Sequence, residues 1–283
     1  MYLGNVEIHT ISDGVMHLDG GTMFGVLPRT VWSRYYPADD QNRIPVATNC
    51  NLIISEGRRI LVDTGLGSRL TPRETQLWGL EREGDLVEKL GRLGISPEDI
   101  DVVVLTHLHP DHAAGNTRLE DSKLVPVFSR AEHWVQKREW EAATNPNDWS
   151  KLQYDQRNFM PIAESGLLRL IDGETAITQD VRCILAEGHT PGHQCVVIES
   201  KSEWAIVPSD AAPMVPHVER PQWLPAFDME PMTNLETKKR ICRMALEKKG
   251  IFLLAHDPNA LACRLVEQDG RVKSEVVAWP FAV

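Results

Sequence analysis

The chain has 283 residues, 42% hydrophobic and 25% charged, with a formal net charge of -10. That length can bury a full core, and the acidic balance excludes nucleic acid as a main partner, because phosphate binding needs clustered Lys and Arg. No apolar run approaches the roughly 18 residues of a membrane span, and the five cysteines are scattered without a C-x-x-C pair, which fits reduced thiols rather than a disulfide frame.

The opening MYLGNVEIHTISDG has no basic stretch ahead of an apolar one, so no export signal is read and a cytoplasmic location is expected. Apolar runs at 6–12 and 15–18 flank Asp13-Gly14, which predicts a two-residue hairpin. Runs at 51–55 and 59–63 flank Glu56-Gly57 and predict a second. Between them lies a segment from about 20 to 49, rich in aromatics and prolines and too long for an ordinary connection; it reads as an extended arm.

Apolar residues at 86, 87, 90 and 93 predict a helix, followed by strands at 101–105 and 124–128. Ser129-x-x-Glu132 has the form of a capping box and predicts a helix to about 143; 148–163 reads as another. Short strands are predicted at 167–171, 181–186, 195–199 and 204–207. Thr233-x-x-Glu236 opens a predicted helix reaching Lys249, with Gly250 closing it and Lys238-Lys239-Arg240 and Lys248-Lys249 as its solvated face. Strands at 251–255, 263–267 and 272–277 complete the order. No repeat or low-complexity linker interrupts it, so one domain over 1–283 is expected, with helices covering sheets.

The stretch THLHPDHAAG, immediately after Val102-Val103-Val104-Leu105, carries the chemistry. His107, His109 and His112, with Asp111 among them, are nitrogen and oxygen donors of the kind that bind zinc-like ions. Positions 107 and 109 point the same way from an extended strand end, while Pro110 turns Asp111 and His112 to another direction. One segment can thus serve two neighbouring metals but cannot complete both. Further donors sit at other strand ends: His189 and His193 in EGHTPGHQCVVI, Asp210 in VPSDAA and His256 in LLAHDP.

In this order, with LVDTG upstream, the motifs resemble the metallo-β-lactamase superfamily over about 63 to 256. The resemblance implies an αββα sandwich. It places one metal on His107, His109 and His193, a second on Asp111, His112 and His256, and Asp210 between them. Asp63 and His189 fall outside the ligand set, Asp63 orienting a ligand ring through its other nitrogen. The implied cofactor is a pair of divalent ions, zinc first, with Mn, Fe or Co admitted by the same donors.

Two such ions lower the pKa of a shared water and polarise the bond under attack, with Asp111 carrying the proton. No G-x-S-x-G elbow is present, and this chemistry needs none. Among sister activities, redox relatives carry Glu where His109 stands, nuclease relatives need a basic surface, and glyoxalase-II relatives end in a helical domain where this chain reads as strand. The GGTMFGVLP stretch is similar to a quorum-quenching-lactonase-like branch, and related arms occur in methyl-parathion-hydrolase-like enzymes.

The expected function is therefore a metal-dependent hydrolase of a small, partly apolar lactone or ester, N-acyl-homoserine-lactone-like. Alternatives are a phosphotriesterase and a non-catalytic metal-binding protein. The tyrosine that branch places three positions after the bridging Asp is Pro213 here. Carbonyl polarisation is then left to the metals, with His217 as helper. Phe24, Trp32, His217, Trp223 and Phe227 are the expected pocket residues, Met229 and Met232 simple core cover, and the apolar arm points to a homodimer.

Overall fold

Continuous apolar runs such as Val102–Val104 bury both faces of the central strands, and the layers follow from that. The computed structural model describes residues 1–281 and contains two seven-stranded sheets. The first consists of Tyr2–Leu3, Val6–Asp19, Arg43–Ser55, Arg58–Val62, Val102–Val104, Glu132–Gln136 and Leu168–Ile171, in the same order along the chain and across the sheet. Its early strands pair antiparallel and its later ones parallel. The second runs from Thr175–Ala176 through Val181–Leu185, Gln194–Ser200, Glu203–Val207, Ile251–Leu253 and Ala262–Gln268 to Arg271–Val276. Its parallel pair, Glu203–Val207 with Ile251–Leu253, is joined through the long helix Pro231–Lys248.

Val102 and Val104 point between the sheets, against a cluster that includes Val196, Ile198, Ala205 and Val207. Val103 and Leu105 face the other way, onto Leu86 and Leu90 of helix Leu86–Arg92. Cys195, Val197 and Ile206 face Ile241 and Ala245 of helix Pro231–Lys248. Helix, sheet, sheet, helix is the expected αββα sandwich, and the 51–55/59–63 hairpin is present as Arg43–Ser55 and Arg58–Val62. Among the described residues no helix is long and apolar enough to cross a membrane.

Several local expectations are corrected. Asp13-Gly14 is no hairpin turn: Val6–Asp19 is one strand with a bulge between Ser12 and Gly14. The Asp13 carboxylate is buried and accepts from the amides of Leu66 (2.8 Å), Gly67 (3.3 Å) and Leu86 (2.8 Å). Ser129-x-x-Glu132 opens no helix, because residues 133–136 all bury as strand; the helix is Lys137–Thr144. The 148–163 segment breaks into short 3-10 turns and ends in Met160–Glu164.

The 20–49 segment is not an extended arm. It folds into helices Gly20–Phe24 and Arg29–Trp32 and then enters the strand Arg43–Ser55. Its Phe24, Trp32 and Tyr36 pack with Met16 and Val46 of the same chain. Lys238, expected on a solvated face, is fully buried, and its ammonium donates to the Trp223 carbonyl.

Candidate metal centre

The donors gather where strands of both sheets end. Thr106, just past Val102–Val104, donates its amide (2.8 Å) and its hydroxyl (2.9 Å) to Asp63 Oδ1, and the same hydroxyl oxygen lies 2.9 Å from Ser209 Oγ, which can donate to it. Asp63 and Ser209 have positive φ, 60° and 46°. Non-glycine residues hold that conformation only when their surroundings fix it, and Thr106 supplies that contact from between them. The extended stretch then places His107 and His109, and the short helix Pro110–Ala113 presents Asp111 and His112.

His189 comes from a turn between strands Val181–Leu185 and Gln194–Ser200. Both glycines of its G-H-T-P-G-H motif mark close approaches. A Cβ on Gly188 would meet Asn234 N at 2.2 Å, and one on Gly192 would meet Glu139 N at 2.0 Å. Without side chains there, the turn seats against helices Lys137–Thr144 and Pro231–Lys248. Asp210 follows Glu203–Val207, and His256 follows Ile251–Leu253.

His107, His109 and His189 bring ligand atoms within 4.8 Å of one another; so do His107, His112 and Asp210, and so do Asp111, His112 and His256. His189 Nε2 lies 3.1 Å from His109 Nδ1 and 3.2 Å from Asp210 Oδ2. On the other side, His256 Nε2 lies 2.9 Å from Asp210 Oδ1 and 3.0 Å from His112 Nε2. Asp111 Oδ2 is 3.5 Å from His112 Nε2 and 3.6 Å from His256 Nε2. Asp210 thus turns one oxygen to each group.

His193 does not join them. It is fully buried, with neither ring nitrogen hydrogen-bonded, and none of the three groupings includes it. The expected roles of the two turn histidines are therefore exchanged: His189 stands in the cluster and His193 behind it. The reason is anchorage. His189 Nδ1 is 2.9 Å from Asp228 Oδ1, whose Oδ2 accepts from Asn234 Nδ2 at 2.8 Å, whereas His193, just ahead of strand Gln194–Ser200, has no such partner. Asp63 Oδ2 lies 2.9 Å from His112 Nδ1.

The donor set fits cations. His256 Nδ1 faces the Ala47 carbonyl at 2.6 Å, an oxygen that can only accept, so the ring carries its proton there. A neutral His256 therefore turns a bare Nε2 lone pair toward His112 Nε2 and the Asp210 carboxylate, acceptors facing acceptors. His107 Nε2 and Asp210 Oδ1 are buried without hydrogen-bond partners. Such groups are costly unless a cation or protons complete them. Burial opposes charge on His112, His189 and His256, yet the surrounding carboxylates raise all three, so the site draws positive charge. Burial and its imidazole neighbours hold His109 neutral, down to about 3. Against its own burial, Asp111 is kept at about 2 by His112 and His256.

A cavity of about 220 Å³ opens above the cluster, with His109, Asp111, His189, Asp210 and His256 at its floor. Its walls are mainly apolar, among them Leu18, Met23, Val46, Trp78, Leu152 and Phe227. Of the expected pocket residues, only Phe227 lines it. Phe24, Trp32, His217 and Trp223 are buried in one aromatic group, Phe24 stacking on Trp32 and His217 with ring centroids 5.6 and 5.1 Å apart and meeting Trp223 edge-on at 5.9 Å. His217 Nε2 bonds the Met23 carbonyl at 2.8 Å, so the ring braces the wall and does not reach the carbonyl of a bound molecule.

Residues that sequence reasoning passed over hold the floor in place. Besides Asp228, buried Glu139 accepts from Leu108 N at 3.0 Å, Tyr154 Oη at 3.2 Å and Thr190 Oγ1, tying both histidine segments together. Neither residue stands in a recognisable motif. The signal available was a carboxylate near a predicted buried face, and it was too common to use.

The sequence matches the Metallo-beta-lactamase superfamily over residues 43–256. An N-acyl homoserine lactonase of Bacillus cereus is 28% identical over 219 residues, 74% of this chain and 80% of the relative. The crystal structure of a probable metal-dependent hydrolase from Staphylococcus aureus superposes with a TM-score of 0.89 at 30% identity, covering 99% of this chain and 100% of that one. AidC, a dizinc quorum-quenching lactonase in complex with a product, superposes with a TM-score of 0.81 at 21% identity over 99% of this chain and 97% of its own, a likeness of fold.

Proposed function

Because this chain belongs to the metallo-β-lactamase superfamily, we propose that it is a two-metal hydrolase opening the ring of an N-acyl-homoserine-lactone-like substrate. One observation carries the reading: six donors converge around Asp210 beneath an apolar cavity. The similarity to a Bacillus cereus N-acyl homoserine lactonase supports the substrate class.

His107, His109 and His189 would hold one divalent ion and Asp111, His112 and His256 the other, with Asp210 shared. Zinc suits these donors, and Mn, Fe and Co are compatible. When bound, such a pair supplies the Lewis acidity that makes water nucleophilic near neutral pH and polarises a carbonyl. The chain's own residues do the rest. Asp63, Asp228 and the Ala47 carbonyl fix three imidazoles with their Nε2 lone pairs inward. Asp111 turns Oδ2 to the imidazoles and stays ionised, which leaves its second oxygen to take the proton of the attacking water and return it to the alkoxide leaving group. The walls of Leu18, Trp78, Leu152 and Phe227 receive an apolar tail and exclude bulk water.

We place the protein in the cytoplasm, as a homodimer formed through the 20–49 segment, whose Val26 and Tyr35 remain exposed; light scattering tests the dimer. The activity is tested on acyl-homoserine lactones, aryl esters and phosphotriesters, before and after chelation. Metal-dependent turnover preferring the lactones supports the reading; preference for phosphotriesters, or turnover that survives loss of the metals, overturns it.

A further inference from the structure

The long helix Pro231–Lys248 buries a charge that the donor cluster does not use. Lys238 is fully buried, and its ammonium donates to the Trp223 carbonyl. Burial draws its pKa down to about 8, with Asp228 pulling the other way, so it keeps its charge at neutral pH. An unbranched apolar side chain of similar length would fill that space without the penalty of taking an ammonium out of water. What the lysine adds is a hold on one carbonyl.

That carbonyl begins the irregular 223–228 loop, in which Pro225 and Phe227 line the cavity. The loop is gripped from two sides. Against helix Gly20–Phe24, Ala226 N bonds Thr22 O at 2.9 Å, and a Cβ on Gly25 would meet Leu224 O at 2.6 Å. Helix Pro231–Lys248 holds the two ends: Lys238 takes the Trp223 carbonyl, and Asn234, one turn earlier on the same face, takes Asp228 Oδ2 at 2.8 Å. Phe227 is 38% exposed, so packing of its own ring does not fix it; the backbone between those anchors does.

We propose that Lys238 is a positioning residue for substrate selection: by holding the Trp223 carbonyl it sets the 223–228 loop so that Phe227 stands against the distal part of the substrate's apolar tail. The proposal rests on the hydrolase reading above and names how one wall of that site is kept in place. Released at Trp223, the loop is still tied to Asn234 and His189 through Asp228, so the wall is lost and the donor cluster is not.

The experiment measures kcat/KM for N-decanoyl and N-butanoyl homoserine lactone in wild type, Lys238→Met, Phe227→Ala and the double variant, with Tm and metal content followed in each. A methylene left unburied lowers kcat/KM about fourfold. Lys238→Met, freeing about two of them, is expected to lower the decanoyl-to-butanoyl ratio by about tenfold with metal content unchanged. Phe227→Ala should lower the ratio by a similar factor, and the double variant no further, because the lysine acts through that ring. Lys238→Leu is read in the same way if methionine unfolds the protein. A ratio within about twofold of wild type in the folded lysine variant, or losses that multiply in the double variant, overturns the proposal. Wild-type protein inactive on both lactones overturns the lactonase reading, and the proposal with it.

Discussion

His189 Nδ1 and Asp228 Oδ1 lie 2.9 Å apart, both buried, and this contact decides which histidine of the G-H-T-P-G-H turn enters the cluster. With Nδ1 engaged, the opposite nitrogen is 3.2 Å from Asp210. Neighbouring His193 has no such partner on either nitrogen.

Exchanging each histidine for alanine separates their roles. His189→Ala is expected to lose one of its two bound metals and at least about a hundredfold in activity, the upper end of what outer partners alone contribute. His193→Ala is expected to keep its metal content and lose about 2–4 kcal/mol of stability to the cavity left behind. Elemental analysis beside a melting curve distinguishes them, and the reverse pattern would restore the original assignment.

In the proposed metal site, Asp228 would act on the metal through His189, whose Nδ1 it faces at 2.9 Å. Removing such an outer carboxylate weakens metal binding by about 10–100-fold. Asp228→Ala should therefore release metal to a competing chelator more readily than wild type, with Asp228→Asn between them, since an amide oxygen can still accept from Nδ1. Equal retention by all three proteins would show the contact to be incidental.

Stripping the metals removes the counter-charge of the cluster. Turnover is expected to vanish with chelator and to return with Zn, Mn or Co. The melting temperature should fall as well, because ligand present at 1,000 times its Kd stabilises the fold by about 4 kcal/mol. An unchanged melting curve after verified metal loss would contradict this.

Asp13 gives a pH signature away from the donor cluster. Burial lifts its carboxyl from 3.8 to about 6, against the pull of Arg82 and the backbone donors. The folded state thus holds this proton more tightly than the unfolded chain. The contribution is complete below pH 4 and is lost as pH rises through 6, by up to about 3 kcal/mol at about 1.4 per unit. Asp13→Asn should lie below wild type in stability at pH 4, by a margin that narrows toward pH 7. Thermal melts across that range test it, and a margin that widens contradicts it.

Legibility followed distance along the chain. The H-x-H-x-D-H segment was readable because its donors share one strand end and one helical turn, His107 to His112. Asp63, Asp210 and His256 were readable because each ends an apolar run. Asp228 was not: it sits in an irregular loop 39 positions from the ring it orients, and only the docking of helix Pro231–Lys248 brings it there. The pocket failed for a related reason. Phe24, Trp32, His217 and Trp223 are aromatic enough to line a cavity but satisfy one another instead, and Met23 is what faces the opening. At Asp13-Gly14, local turn propensity lost to a buried carboxylate with three amide donors.

The sequence by itself determined the layered sandwich and the chemical types of the donors, because hydrophobic period and strand-end position are properties of short windows. It could not choose between His189 and His193, which differ little in local context. That outcome belongs to the tertiary structure. A side chain's direction and its hydrogen-bond partners are fixed only when residues remote in the chain pack against it, and burial makes each unpaired group costly enough to settle the choice.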